Sequence, residues 1–329
     1  MKILNYGAGA VGLGIDSCLL KSGAVVDIIG RRNTVSALKR TGLKRAGIFG
    51  DYSASPKDFA AYTSLDEIPA RAYDFILVST KSFDSGQAAK DISSHPSLYT
   101  RDTKIILCQN GWGNAEIFCA FLPKGQVYNA RVITGFTRPN PNEVMITVHA
   151  DSVQVGSLFH SRLDDIEKLC NLISRGDLPC RTTQDIGKDL WAKMLYICAL
   201  NPLGAILDVP YGVLGEHEAT RSIMKDIVEE TYEVMKATGH ETYWPTPKEY
   251  LEMFYEKFLP PTARHRSSTL QSLKAKKKTE IDALNGMVVK LARQFTIDVP
   301  VNEGIYKIIK SIDRSPAVPD DGGRSSPGS

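Results

Sequence analysis

The chain has 329 residues, with 40 lysines and arginines against 37 aspartates and glutamates and a formal net charge of +3. That length suits two domains, each able to bury its own core, and the near balance of charge argues against nucleic acid or a membrane surface as the main partner. Met1 runs straight into an apolar strand and no apolar stretch reaches the roughly 18 residues needed to span a bilayer, so neither a cleaved leader nor a membrane anchor is expected, and the protein is expected in the cytoplasm. The six cysteines and six histidines form no CxxC or HExxH spacing. The cysteines read as reduced core residues, and no metal site is expected.

Ile3, Leu4 and Tyr6 make a short apolar run that enters Gly7-Ala8-Gly9-Ala10-Val11-Gly12, and residues 13–21 continue with helical periodicity. In such a strand, glycine turn and helix, Gly7 permits the tight turn, Gly9 lets a pyrophosphate approach the backbone without meeting a Cβ, and Gly12 lets the helix pack closely on the strand. The helix start offers unpaired N–H groups and a positive dipole end to phosphates. Residues 24–29 supply the second strand of a βαβ unit, which lifts the motif above a bare glycine turn. That strand ends in Gly30-Arg31-Arg32, where an NAD site would carry an acid; the basic tip predicts NADPH/NADP+, with Arg31 on the 2′-phosphate. Asp27 lies inside the strand and is expected at the pocket edge or facing solvent.

Asn33 is expected to cap a short helix that runs to Thr41 and stops at Gly42. Residues 74–79 and 104–109 are continuous apolar runs of the kind buried parallel strands show, followed by helical stretches at 82–92 and 114–122. Alternating strands and helices imply an α/β fold with a doubly wound parallel sheet, whose ligands lie beyond the carboxyl ends of the strands. Lys81 stands at one such end, suited to a pyrophosphate, and Asn110 of Gln109-Asn110-Gly111 at another, where the nicotinamide should lie. Strands at 132–134, 144–148 and 153–155, with the turn Pro139-Asn140-Pro141 between the first two, are expected to close this sheet. A helix near 163–174 and a short segment at 180–183 lead out of it.

From Asp185 onward the pattern is helical. Residues 185–200 are apolar nearly all round, which a helix tolerates only when buried. Lys193 inside it is expected to face a pocket, where burial lowers its pKa unless it is paired. Helices are expected at 216–237, 246–258 and 267–295. The last should break near 276–278, because Lys276-Lys277-Lys278 gathers like charge and Thr279-Glu280-Ile281-Asp282 reads as a fresh N-cap with acids in the first turn. The lysine run itself is expected to be a solvated segment. The predicted domains are an NADP-binding Rossmann-like unit over 1–182, an all-helical substrate and catalytic unit over 183–314, and a disordered tail over 315–329.

Taken together, Gly7 to Gly12, Lys81, Gln109-Asn110-Gly111, Asp189-Leu190-Trp191-Ala192-Lys193 followed by Asn201-Pro202-Leu203, Ser267-Ser268 and Thr279-Glu280-Ile281-Asp282 resemble, in order and spacing, the 2-dehydropantoate 2-reductase (ketopantoate reductase) family. The likeness runs over nearly the whole chain, to about Ile312. It implies NADPH-dependent reduction of a 2-oxo acid to an (R)-2-hydroxy acid, foremost 2-dehydropantoate to pantoate in pantothenate biosynthesis, in a cleft between the two domains. By position, Lys193 would be the general acid and Glu280 would hold the substrate's 2-oxygen or the cofactor. Asn110, Asn201 and Ser268 would bind substrate. Gly7, Ala8, Gly9, Ala10, Val11, Gly12, Arg31, Lys81, Asn110 and Glu280 would hold the cofactor. The partner implied is a small 2-oxo acid, with no nucleic acid and no membrane; a homodimer is left open.

Glu280 near Lys193 would keep the lysine charged against desolvation. A continuous helix at about 1.5 Å per residue would separate Ser268 from Glu280 by about 18 Å, so the break near 276–278 is a requirement of the assignment. Two departures bear on the substrate. Ile197, which shares a helix face with Lys193, and Tyr211 stand where the family usually carries substrate-binding asparagines, and Ser272 replaces a usual aspartate. Lost amide partners predict a more apolar pocket, hence the alternative of a more hydrophobic 2-oxo acid or ketone, aryl or branched. A second alternative, a non-catalytic NADP-binding protein, would have no need of a buried acid.

Overall fold

The structure, a computed structural model, describes residues 1–314. The tail expected to be disordered, 315–329, lies outside the described residues. Strand β1 (Lys2–Tyr6), helix α1 (Ala10–Lys21) and strand β2 (Val25–Ile29) form the first βαβ unit, with β1 and β2 parallel from Lys2↔Val25 to Tyr6↔Ile29. Helix α2 (Arg32–Thr41) follows at once, so Arg31 rather than Asn33 is its N-cap, and Gly42 at φ +76° ends it. Three short strands come next that the sequence pattern did not announce: β3 (Leu43–Gly47), β4 (Tyr52–Ala54) and β5 (Ala60–Tyr62). The alternation then resumes as expected through β6 (Phe75–Val78), α3 (Ser85–Ser93), β7 (Lys104–Leu107) and α4 (Asn114–Cys119), and β8 (Val127–Arg131) follows, just before the strand expected at 132–134.

Strands β9 (Thr134–Thr137), β10 (Glu143–His149) and β11 (Val153–Gly156), helix α5 (Asp164–Arg175) and strand β12 (Cys180–Thr182) complete this part. Among the described residues the main sheet has eight strands, ordered β12-β11-β8-β7-β6-β1-β2-β5. It is parallel except where β11 runs against β8. Residues such as Ile3, Val26 and Leu77 pack on one side against α1 and α5, and Leu4, Ile76 and Ile105 on the other against α3 and α4. Of the three strands expected to close this sheet only β11 does so, between β8 and the edge strand β12, so the segment at 180–183 joins the sheet instead of leading out of it. Contrary to expectation, β9 and β10 join β3 and β4 in a second sheet, β4-β3-β10-β9, in which β10 is parallel to β3. Period-two alternation marks a half-buried strand but does not say which strand it pairs with.

Helix α6 (Ile186–Ile206) is buried along most of its length. Pro202 inside it has no N–H, which frees the Cys198 carbonyl; Asn285 fills the vacancy, donating from Nδ2 at 3.2 Å. Helices α7 (Tyr211–Glu216), α8 (Glu218–Ala237) and α9 (Pro247–Met253) pack around α6. Helix α10 (Ser268–Lys274) is capped by the Ser267 hydroxyl and ends before Lys276, whose φ is +51°. The expected break is there, but Thr279 does not cap a helix. Its hydroxyl donates to Asp313 at 2.7 Å, and a short turn at Ile281–Ala283 precedes α11 (Asn285–Phe295) and α12 (Pro300–Arg314). Among the described residues, no helix is long and apolar enough to cross a membrane.

Candidate active site

A cavity of about 1760 Å³ runs from the carboxyl ends of β1, β2, β6 and β7 to helices α6 and α10. Gly7, Ala8, Gly9, Ala10, Val11, Arg31, Lys81, Asn110, Lys193, Ile197, Asn201, Tyr211, Ser268 and Glu280 all line it. Gly12 stands behind it. The three glycines of the turn answer to three different constraints. Gly7 has φ +132°, and a Cβ on it would stand 2.6 Å from the Thr80 nitrogen. At Gly12 a Cβ would stand 2.1 Å from the Gly7 carbonyl and 2.7 Å from Asn5 Nδ2. At Gly9 it would meet nothing closer than the Ser79 carbonyl at 3.7 Å, because the space beyond is the cavity. Gly9 is also the N-cap of α1 and brings no side chain to the helix's free N–H groups.

At the end of β2, Arg31 is exposed and lines the cavity. Asp27 is not at the pocket edge; it is buried, bonded by Arg71 and by the Tyr73 hydroxyl at 2.5 Å. Lys81, at the end of β6, donates to Glu280 Oε2 at 2.6 Å, while Glu280 Oε1 accepts the Ser82 N–H at 3.1 Å. Glu280 is thus bonded to the strand tip and not to Lys193, yet its charge still acts on that lysine in the expected sense, raising its pKa.

Lys193 projects from α6 to the end of β7, where its ammonium donates to Asn110 Oδ1 at 2.7 Å and to the Val132 carbonyl at 2.6 Å. Burial, then the nearby Arg131 guanidinium, brings its pKa down to about 8, with Glu280 pulling the other way. Arg131 is itself buried, against Asp151 at 2.5 Å and Asp189 at 3.5 Å. One turn along α6, Ile197 is buried with 8% exposure. Asn201 is enclosed by protein partners: the Tyr211 hydroxyl donates to its Oδ1, and its Nδ2 donates to Ser268 Oγ at 3.4 Å. Tyr196, Tyr250, Met253 and Phe258 line the same end of the cavity.

The lysine run is exposed as expected, yet Lys277 and Lys278 also line the cavity, Lys278 standing 4.8 Å over the Phe83 ring. Arg131 and Arg138 are among the lining residues that the sequence reading missed. Arg131 ends β8, so the rule that picked out Lys81 and Asn110 would have found it had that strand been placed at 127–131 rather than 132–134. Arg138 follows β9, donates to the Ala8 carbonyl at 2.7 Å, and carried no local signal beyond its turn.

The cavity fits a dinucleotide. Its glycine turn leaves open the space a Cβ at Gly9 would fill, the uncapped start of α1 faces it, and cations rim it at Arg31, Lys81 and Arg138. Residues 3–159 match the family described as Ketopantoate reductase PanE/ApbA, and residues 185–313 match Ketopantoate reductase PanE/ApbA C terminal. The 2-dehydropantoate 2-reductase of Aquifex aeolicus is 34% identical over 94% of this chain and 96% of its own. A PanE/ApbA family ketopantoate reductase from Ralstonia eutropha, solved as a crystal structure, is 27% identical, with a TM-score of 0.81 over 95% of this chain and 98% of its own. The ternary structure of D-mandelate dehydrogenase with NADH and anilino(oxo)acetate reaches a TM-score of 0.85 at 24% identity over 95% and 98%, a likeness of fold.

Proposed function

The chain belongs to the ketopantoate reductase family, and from that premise we propose that it reduces a 2-oxo acid to the (R)-2-hydroxy acid with NADPH, 2-dehydropantoate to pantoate being the leading reaction. The observation that carries the reading is Lys193. An ammonium has three hydrogens; two are committed to Asn110 and the Val132 carbonyl, which leaves the third for the cavity. NADPH, when bound, supplies a hydride to the carbonyl carbon. Negative charge then grows on the carbonyl oxygen, where Lys193 both stabilises it and delivers the proton. The neutral amine left behind keeps two N–H donors, as many as Asn110 and Val132 require. Asn110 fixes the direction of the transfer, and Lys81, Arg31 and the glycine turn hold the cofactor. The same reading gives 1–182 to cofactor binding, 183–314 to substrate and catalysis, and the enzyme to the cytoplasm, in keeping with its six free cysteines.

A second reading, a more apolar aryl or branched 2-oxo acid, is favoured by one group of contacts. Asn201 already has Tyr211 and Ser268 as partners, and Ile197 puts hydrocarbon where a hydroxyl of the substrate would want an amide. The test follows NADPH oxidation with 2-dehydropantoate and with branched and aryl 2-oxo acids, on the native chain and on Ile197→Asn. Turnover of one or more is expected, with the variant moving preference roughly tenfold or more toward 2-dehydropantoate. Binding of NADPH without turnover of any 2-oxo acid refutes the catalytic reading.

A further inference from the structure

The second sheet has no part in the chemistry above, yet its β9–β10 hairpin sets an arginine into the cavity. Phe136 of β9 lies against α1 at Gly14, where a Cβ would stand 2.3 Å from its ring, so the strand is seated on the helix that begins at the glycine turn. Arg138 comes two residues later. Its Nη1 donates to the Ala8 carbonyl at 2.7 Å and reaches Thr34 Oγ1 at 3.4 Å, which places it across the cavity rim from Arg31, the N-cap of α2. Among the described residues no carboxylate forms an ion pair with either arginine. Burial, then the charge of Arg31, pushes the Arg138 pKa down.

Two cations with no counter-ion, one of them half-buried, repel each other until an anion arrives between them, and its partial burial makes the charge of Arg138 weigh more than it would in open solvent. The contacts of Nη1 leave the rest of the Arg138 guanidinium unspent, and that planar fork suits phosphate. The anion must come from a ligand whose other end lies on the glycine turn, and the end of β2 is where the ribose of such a dinucleotide is read. We propose that Arg138 is the second arm, with Arg31, of a clamp on the 2′-phosphate of NADPH, so that the four-stranded sheet selects the cofactor. The proposal rests on the dinucleotide reading of the cavity.

Calorimetric titration of the full chain with 2′,5′-ADP and with 5′-ADP tests it, since the two ligands differ only in the 2′-phosphate. The native chain should prefer 2′,5′-ADP. Arg138→Ala should weaken 2′,5′-ADP roughly tenfold or more while changing 5′-ADP less than about twofold, and Arg138→Lys, which keeps the charge but not the fork, should fall between. Because the readout is the ratio of two ligands on one variant, partial loss of folded protein cancels. Equal weakening of both ligands would make Arg138 a prop for the glycine turn through Ala8, and overturns the proposal, as does no weakening at all. A native chain without preference for 2′,5′-ADP overturns the proposal together with the NADPH reading; a preference that survives Arg138→Ala overturns the proposal alone.

Discussion

Lys193 works on a narrow margin of protonation. It must carry its proton to serve as an acid, and burial and Arg131 have brought its pKa down to about 8, with Lys81 adding to the fall and Glu280 and Cys108 opposing it. For the reduction, kcat/KM should therefore hold level below about pH 8 and fall about tenfold per pH unit above it, while oxidation of the hydroxy acid should rise over the same range. A profile flat from about pH 6 to 10 would remove Lys193 from the role. Lys193→Ala should lower kcat by about 10²- to 10⁴-fold with little change in NADPH binding measured by fluorescence. The lysine could be read from sequence because a cation is out of place in a helix apolar on every side. Two of its neighbours could not: Val132, which accepts its hydrogen bond, lies 61 residues earlier in the chain just after β8, and Arg131, which lowers its pKa, ends that strand, so only the fold brings them together.

The strand, glycine turn and helix at the N-terminus form an element whose residues separate folding from binding. Gly12 is closed in by backbone, so Gly12→Ala forces β1 and α1 apart and should destabilise the chain by about 1–3 kcal/mol, the range of an overpacked core, seen as a lowered denaturation midpoint. Gly9→Ala meets no protein atom closer than 3.7 Å and should fold with near-native stability, yet its methyl enters the cavity and should weaken NADPH roughly tenfold or more. If the two variants behave alike, the distinction is wrong. This unit was legible because its signals are local: spacing, turn glycines and the order of periodicities. The second sheet was not. Its β10 alternates clearly, but it pairs with β3, about a hundred residues earlier in the chain, and β3 reads Leu43-Lys44-Arg45-Ala46-Gly47, too polar to announce a strand. Arg45 there is buried by pairing with Asp177 and the Gly176 carbonyl, partners that sequence pattern does not reveal.

At the scale of the whole molecule, the segment between α10 and α11 docks the helical region onto the strand ends. Glu280 takes hydrogen bonds from Lys81 and Ser82 after β6, and Trp112 after β7 donates its N–H to the Ala283 carbonyl at 3.2 Å. Gly111, at φ +88°, makes that approach feasible, since a Cβ there would stand 2.3 Å from the same carbonyl. Directly before this dock lie the exposed lysines 276–278, so trypsin reports on it. Glu280→Ala removes the charged half of the contact while leaving Trp112 and Ala283 in place. Losing a hydrogen-bonded charge at a buried position costs about 1.5–3 kcal/mol, which multiplies the open population by roughly tenfold to a hundredfold. When cleavage is slow against reclosing, its rate follows that population. Tryptic cleavage after Lys276, Lys277 or Lys278 should accelerate by that factor in Glu280→Ala, and NADPH should slow it in the native chain by binding the docked form. Equal cleavage rates in the two proteins would mean that the segment is held by its backbone contacts alone, and that Glu280 serves the ligand without joining the two parts of the chain.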